Sequence, residues 1–226
     1  MTDTAVTEPI HIDVWSDVAC PWCYIGKRKL EAGVAAYEQT GGAPVEVEYH
    51  SFELAPDTPL DFDGTETEFL VQKGYPEDQI AGMLERVTGI AESLGLHYDY
   101  DALQHTNTLK AHELIHYAKA HGVQLEMKER LLRAYFVEGR HIGRVEDLAD
   151  LAAGLGLDRA DVVRSLQEDE YLDAVQADVR QAQGYGIRGV PFFVVDGRYG
   201  VSGAQDAGVF GEVLQKVADE RSGAGG

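Results

Sequence analysis

The chain has two cysteines, and they stand together as Cys20-Pro21-Trp22-Cys23. Thiols two residues apart cannot staple distant segments, so the 226 residues must hold together through an apolar core. The pair also marks a junction. Before it, Ile10, Ile12 and Val14 alternate with polar neighbours and the run stops near Ser16-Asp17, the period-two signal of a strand. After it, no proline interrupts the chain to Glu38, Gly41-Gly42 closes the segment, and Pro21 lies in the first turn, where a helix tolerates it. Val45, Val47 and Tyr49, alternating with Glu46, Glu48 and His50, complete a strand–helix–strand unit with parallel strands.

Near the other end, Pro191-Phe192-Phe193-Val194-Val195 and Arg198-Tyr199-Gly200-Val201 flank Asp196-Gly197, a strong hairpin signal. Residues 204–219 read as a closing helix. Leu172, Val175, Val179 and Ala182 recur at helical spacing ahead of Gly184-Tyr185-Gly186. The stretch 61–169 reads helical, with segments over 76–94, 107–121, 125–138, 145–155 and 158–166. The expected class is α/β, one domain built from residues 10–60 and 170–220 around an all-helical insertion, 61–169. The polar start, 1–9, and the Gly/Ala/Ser tail, 222–226, are expected to be flexible.

A formal net charge of -20 repels phosphate backbones and anionic lipid heads, which argues against nucleic acid and membrane partners. No stretch approaches the roughly 20 apolar residues of a membrane span, and MTDTAVTEPI has no basic segment followed by an apolar run. A cytoplasmic protein is expected, where a structural disulfide would be out of place. Nothing in the pattern sets an oligomeric state.

A thiol attacks a disulfide as its thiolate, and an ordinary cysteine with a pKa of roughly 8.5 is mostly protonated in the cytosol. At the start of a helix, Cys20 would meet unpaired N–H groups and the positive end of the dipole, which favour a charged sulfur. Lowering its pKa to about 5 would correspond to about 5 kcal/mol. The two-residue spacer brings Cys23 within bonding reach. Cys20 is therefore expected as the exposed attacker and Cys23 as the shielded resolving thiol. Such motifs span about -270 to about -120 mV, so oxidase, reductase and isomerase directions all stay open.

The competing reading is a metal site. A zinc site built on C-x-x-C normally needs a second pair, and there is none. His112-Glu113-Leu114-Ile115-His116 matches the H-E-x-x-H of zinc metallopeptidases on a helix whose core stripe is Ala111, Leu114, Ile115 and Ala118. A third ligand is required, and His121, Glu138 and His141 do not stand at an identifying spacing. A structural zinc on Cys20, Cys23, His112 and His116 would bridge a gap of about ninety residues, far from finger-like spacing. Polar contacts on a helix flank account for both histidines.

Pro191 opening a central strand suggests a turn, often with a cis bond, and Gly189 suggests a close approach there. Val190-Pro191 is expected opposite Cys20, with the Val190 backbone available to an extended substrate. Trp22 could tune the potential or offer an apolar docking surface. Asp13 and Asp17 could accept the Cys23 proton, or be a solvated strand end and a turn residue.

The motif before the helix, the helical insertion and the hairpin after Val190-Pro191 resemble the DsbA family of thioredoxin-fold oxidoreductases, over nearly all of residues 10–219. Residues 16–26 (SDVACPWCYIG), Asn107-Thr108 with Ala111-His112, Arg133-Ala134-Tyr135-Phe136, and Gly189-Val190-Pro191-Phe192-Phe193 to Ser202-Gly203-Ala204-Gln205 look like its FrnE-type, cytoplasmic branch. The resemblance implies disulfide exchange with Cys20 as nucleophile, Cys23 as resolving thiol and Pro191 as the cis-proline beside them. It also places Pro21, Trp22, Val190, Asn107 and His112 at the active site, with no metal and no cofactor beyond the redox-active pair. The substrate would be a protein or small-molecule thiol or disulfide. No additional cysteine pair is present for a second relay. Hydroxychromene-carboxylate isomerases and kappa-class glutathione transferases look similar but place Ser where Cys20 stands, so a glutathione-dependent isomerase or transferase is the alternative.

Overall fold

The computed structural model describes residues 8–223. The expectation of flexible ends falls mainly on 1–7 and 224–226, outside the described residues. β1 (Ile10–Ser16), α1 (Pro21–Gln39) and β2 (Val45–Ser51) form the expected unit, with β1 and β2 parallel in register Ile10↔Val45 to Ser16↔Ser51. β3 (Phe192–Val195) and β4 (Tyr199–Ser202) form the hairpin, and the sheet order is β2-β1-β3-β4. Asp196 and Gly197 both take positive φ, 55° and 64°, as a two-residue turn matching the strand twist requires. α9 (Ala207–Gly223) closes the chain, starting later than expected because Gly203 turns the backbone through φ 79°.

Between β2 and β3 run α2 (Glu66–Gln72), α3 (Glu77–Ser93), α4 (Leu109–Ala120), α5 (Gln124–Phe136), α6 (Val145–Ala153), α7 (Arg159–Gln167) and α8 (Leu172–Gly184). This is a thioredoxin fold carrying a helical insertion, as the resemblance implied. α4 begins at Leu109 rather than at Asn107, whose side-chain oxygen accepts from the Leu109 N–H at 2.9 Å.

Period two sends Ile10, Ile12 and Val14 to one face of the sheet, where they pack with Leu30, Tyr37, Phe193, Phe210 and Leu214. Trp15 faces the other way, onto Ala182 and Ile187. α1 has two buried sides: Leu30 and Tyr37 meet the sheet cluster, while Tyr24 and Ile25 enter the insertion core with Leu114, Leu131 and Phe136. The helix carrying the cysteines is thus clamped between sheet and insertion. β2 is an edge strand whose backbone is covered by side chains. Gln124 accepts from Tyr49 N–H at 3.0 Å and donates to its carbonyl at 2.9 Å, and Asp178 accepts from Ser51 N–H at 2.7 Å.

Candidate active site

Cys20 is the N-cap of α1 and Pro21 its first residue, so the proline costs no helical hydrogen bond and the chain enters the helix at the first sulfur. The cysteines are free and lie 3.4 Å apart. The expectation of an exposed Cys20 is corrected: Cys20 is 4% exposed and Cys23 2%, because the insertion covers the start of α1. Cys20 nevertheless lines a cavity of about 400 Å³, with Asp17, Pro21 and Trp22 beside it and walls from Phe69, Leu84, Tyr100 and Phe136. Trp22, 36% exposed, stands at its lip with the exposed side chains of Leu54 and Tyr75.

The Val190–Pro191 peptide is cis, and the Cys20 thiol donates to the Val190 carbonyl at 3.7 Å. The close approach lies elsewhere than expected. A Cβ on Gly189 would meet nothing within 4 Å, whereas one on Gly26, in the first turns of α1, would stand 2.8 Å from Pro191 Cγ. Gly26 lets the proline loop settle against the cysteine helix.

The two thiols lie close enough that their charge belongs to the pair. Burial opposes a Cys23 thiolate, but the Cys20 thiol, the Lys128 ammonium, the Ser16 hydroxyl and the Asp17 backbone N–H outweigh it, and Cys23 falls below its ordinary value. Cys20 rises well above, since its one proton, shared between the Cys23 sulfur and the Val190 carbonyl, is held in place and burial adds to the effect. Sulfurs this close lose their protons as a pair, the first early and the second late.

Lys128 was missed by motif reasoning. It is 1% exposed, donates to the Ser16 carbonyl at 3.4 Å and lies 5.4 Å from the Tyr49 ring centroid. Burial lowers its pKa to about 8, against the pull of Cys23, Asp17 and Cys20. A signal was present: Gln124, Lys128, Leu131 and Tyr135 share helical spacing, which places a lysine on the buried stripe of α5. Its neighbour Glu129 binds Lys27 at 2.7 Å, Tyr24 at 2.7 Å and Arg28, and this latch holds α5 against the cysteine helix.

Asp17 is neither solvated nor a plain turn residue. It is 1% exposed, accepts from Leu54 N–H at 2.8 Å and stands 3.3 Å from His112 Nε2. Burial opposes its charge, but His112 and the Leu54 N–H hold its pKa below the ordinary value. Asp13 is engaged by His50 at 2.9 Å. The Asn107 amide donates to the Pro56 carbonyl at 2.6 Å and fastens the loop after β2.

The two histidines of H-E-x-x-H serve different carboxylates. His112 faces Asp17, His116 lies 3.0 Å from Asp178, and Glu113 pairs with Lys110 at 2.7 Å. Among the described residues, no three or more His, Cys, Asp or Glu side chains are grouped as a metal ion would require. No helix there is long and apolar enough to cross a membrane.

Residues 11–215 match the family described as DSBA-like thioredoxin domain. The uncharacterized protein YwbO of Bacillus subtilis is 30% identical over 207 residues, spanning 91% of this chain and 96% of its own. The crystal structure of a probable DsbA oxidoreductase from Streptomyces coelicolor is similar at TM-score 0.83 and 37% identity, over 92% of this chain and 89% of that one. A 2-hydroxychromene-2-carboxylate isomerase shares the fold at TM-score 0.72 and 14% identity, over 95% and 98% of the two chains. With the family match running from β1 into α9, this chain belongs to the DSBA-like thioredoxin-domain family.

Proposed function

We propose that the chain catalyses thiol–disulfide exchange through Cys20 and Cys23. The observation that carries this reading is a pair of unbonded sulfurs 3.4 Å apart at a helix start, one of them on the wall of a cavity. A proton passing between the sulfurs charges Cys20, which attacks a substrate disulfide RSSR′, forms Cys20–S–S–R and releases R′S⁻. Cys23 gives its proton to R′S⁻, and its thiolate, favoured by Lys128, then attacks the Cys20 sulfur, closes the Cys20–Cys23 disulfide and releases RS⁻. The substrate gains two electrons and the pair loses two. Run backwards, the same steps oxidise a dithiol.

The substrate is a protein or small-molecule thiol or disulfide, and no cofactor beyond the pair takes part. The separated motifs around residues 16–26, 107–112, 133–136 and 189–205 favour the FrnE-type branch. Two cysteines, both in the motif, suit a reducing cytoplasm. A glutathione-dependent isomerase would leave Cys23 without a role.

The test is equilibration with a glutathione buffer, read by mass spectrometry. A reversible two-electron couple that disappears in Cys20→Ser supports exchange. Inert thiols, or a persistent thioether adduct on Cys20, would overturn it.

A further inference from the structure

The cavity beside Cys20 has a second, polar pole. Thr58 Oγ1 and Tyr100 OH belong to residues lining it, and each is buried without a hydrogen-bond partner, beside the Glu66 and His105 of the same lining. Thr58 is 6% exposed and His105 3%. Glu66 Oε2 lies 2.8 Å from His105 Nε2, and Tyr135 OH is 2.9 Å from His105 Nδ1. His105 is itself held in place by stacking on Phe69, ring centroids 4.2 Å apart. Unpartnered buried polar atoms cost about 1–3 kcal/mol each, and two hydroxyls beside a carboxylate–imidazole pair on one cavity call for a common explanation.

Much of the remaining lining is apolar and aromatic, including Phe69, Leu84, Val87, Leu103 and Phe136. About 400 Å³ is the size of a small-molecule site. Asp17 and Glu66 face the cavity against one cation, Lys73, on a chain of net charge -20, so an anionic ligand is disfavoured. Hydroxyl or amide groups both donate and accept, and so suit a carboxylate, two hydroxyls and an imidazole.

We propose that this cavity binds an uncharged aromatic thiol or disulfide, with its sulfur at Cys20 and a hydroxyl- or amide-type head at Thr58, Glu66, Tyr100 and His105. The proposal rests on the exchange reading above and names its substrate class. For a diaryl disulfide ArSSAr, Cys20 forms Cys20–S–S–Ar and releases one ArS⁻. Cys23 closes the protein disulfide and releases the second. Two electrons pass from the pair to the aryl disulfide, and the single proton of the half-ionised pair passes through Cys23 to the first arylthiolate, so that one product leaves as ArSH and the other as ArS⁻.

Binding is measured by calorimetry with 4,4′-thiodiphenol, a thioether that cannot exchange. Oxidation of the reduced pair is then timed with bis(4-hydroxyphenyl), diphenyl and bis(4-carboxyphenyl) disulfides at high salt, which screens net charge. Each rate is divided by that with free dithiothreitol, which removes differences in leaving group. We expect thiodiphenol to bind and the hydroxyl-bearing disulfide to lead both others by about tenfold. The Thr58→Val, Tyr100→Phe double variant should narrow that lead to within about twofold. Absence of binding, or normalised rates alike in the unaltered protein, overturns the proposal while leaving exchange standing. Thiodiphenol binding to a protein whose pair is redox-inert supports the site and sinks the exchange reading instead.

Discussion

Replacing Lys128 with methionine separates the cost of a buried charge from its use. Holding Lys128 at about 8 rather than 10.5 corresponds to about 3 kcal/mol against the folded state at neutral pH. An unbranched apolar side chain of similar length removes that cost, so Lys128→Met should stabilise the protein by about 1–3 kcal/mol at pH 7 in urea unfolding. The sign follows from the direction: a lysine harder to charge when folded costs most below about 8 and nothing above 10.5. The gain in the variant should therefore fade as pH climbs through that window. The same substitution removes a positive charge that favours the Cys23 thiolate. The first proton loss of the pair, followed by thiolate absorbance, should move up by about one pH unit. With the reduced form less favoured, the glutathione equilibrium should shift about tenfold, near 30 mV towards a more reducing pair. If stability changed while the thiolate titration and the glutathione equilibrium stayed put, Lys128 would be a packing residue and the charge argument would fail.

The His50–Asp178 cluster gives stability two pH limits. Burial opposes the His50 charge, but bonds to Asp13 and Asp178 raise it to about 9, so its contribution is full below 6.5 and is lost as pH rises to about 9. Asp178 is held well below the carboxylate range, since His116, His50 and the Ser51 N–H outweigh its burial, so its contribution is present above 3.8 and lost as pH falls further. Melting temperatures across pH should show both limbs, and Asp178→Asn should flatten them; an unchanged profile would remove the cluster from the account. Gly26→Ala places a methyl 2.8 Å from Pro191 Cγ and should cost about 1–3 kcal/mol, with slower exchange, whereas a neutral result in both assays would mean that the proline loop yields freely. Cys23→Ser should accumulate a mixed disulfide on Cys20 during turnover and Cys20→Ser should form none, as non-reducing mass spectrometry reads directly; adducts on Cys23 would reverse the assigned roles.

Local chemistry made much of this fold legible. Alternation in residues 10–14 and 45–49, Pro21 at a helix start, and Asp196-Gly197 between two apolar runs each act over a few residues, and each corresponds to an observed element. The cysteine pair was legible for the same reason. By itself, the sequence determined the strand–helix–strand unit, the hairpin and the adjacent cysteine pair. Only the tertiary structure decided what surrounds the sulfurs, because those contacts join residues far apart: Lys128 meets Ser16 across 112 positions, His112 meets Asp17 across 95, and His50 meets Asp178 across 128. Helical spacing put His112 and His116 on one flank of α4, yet the docking of two different segments gave each its own carboxylate. Helix-end chemistry alone favoured an exposed Cys20, and the packed insertion reversed that by burying the pair and setting a lysine near the second sulfur. Periodicity reports which face of an element is buried, whereas the partner of that face is chosen by how the elements dock.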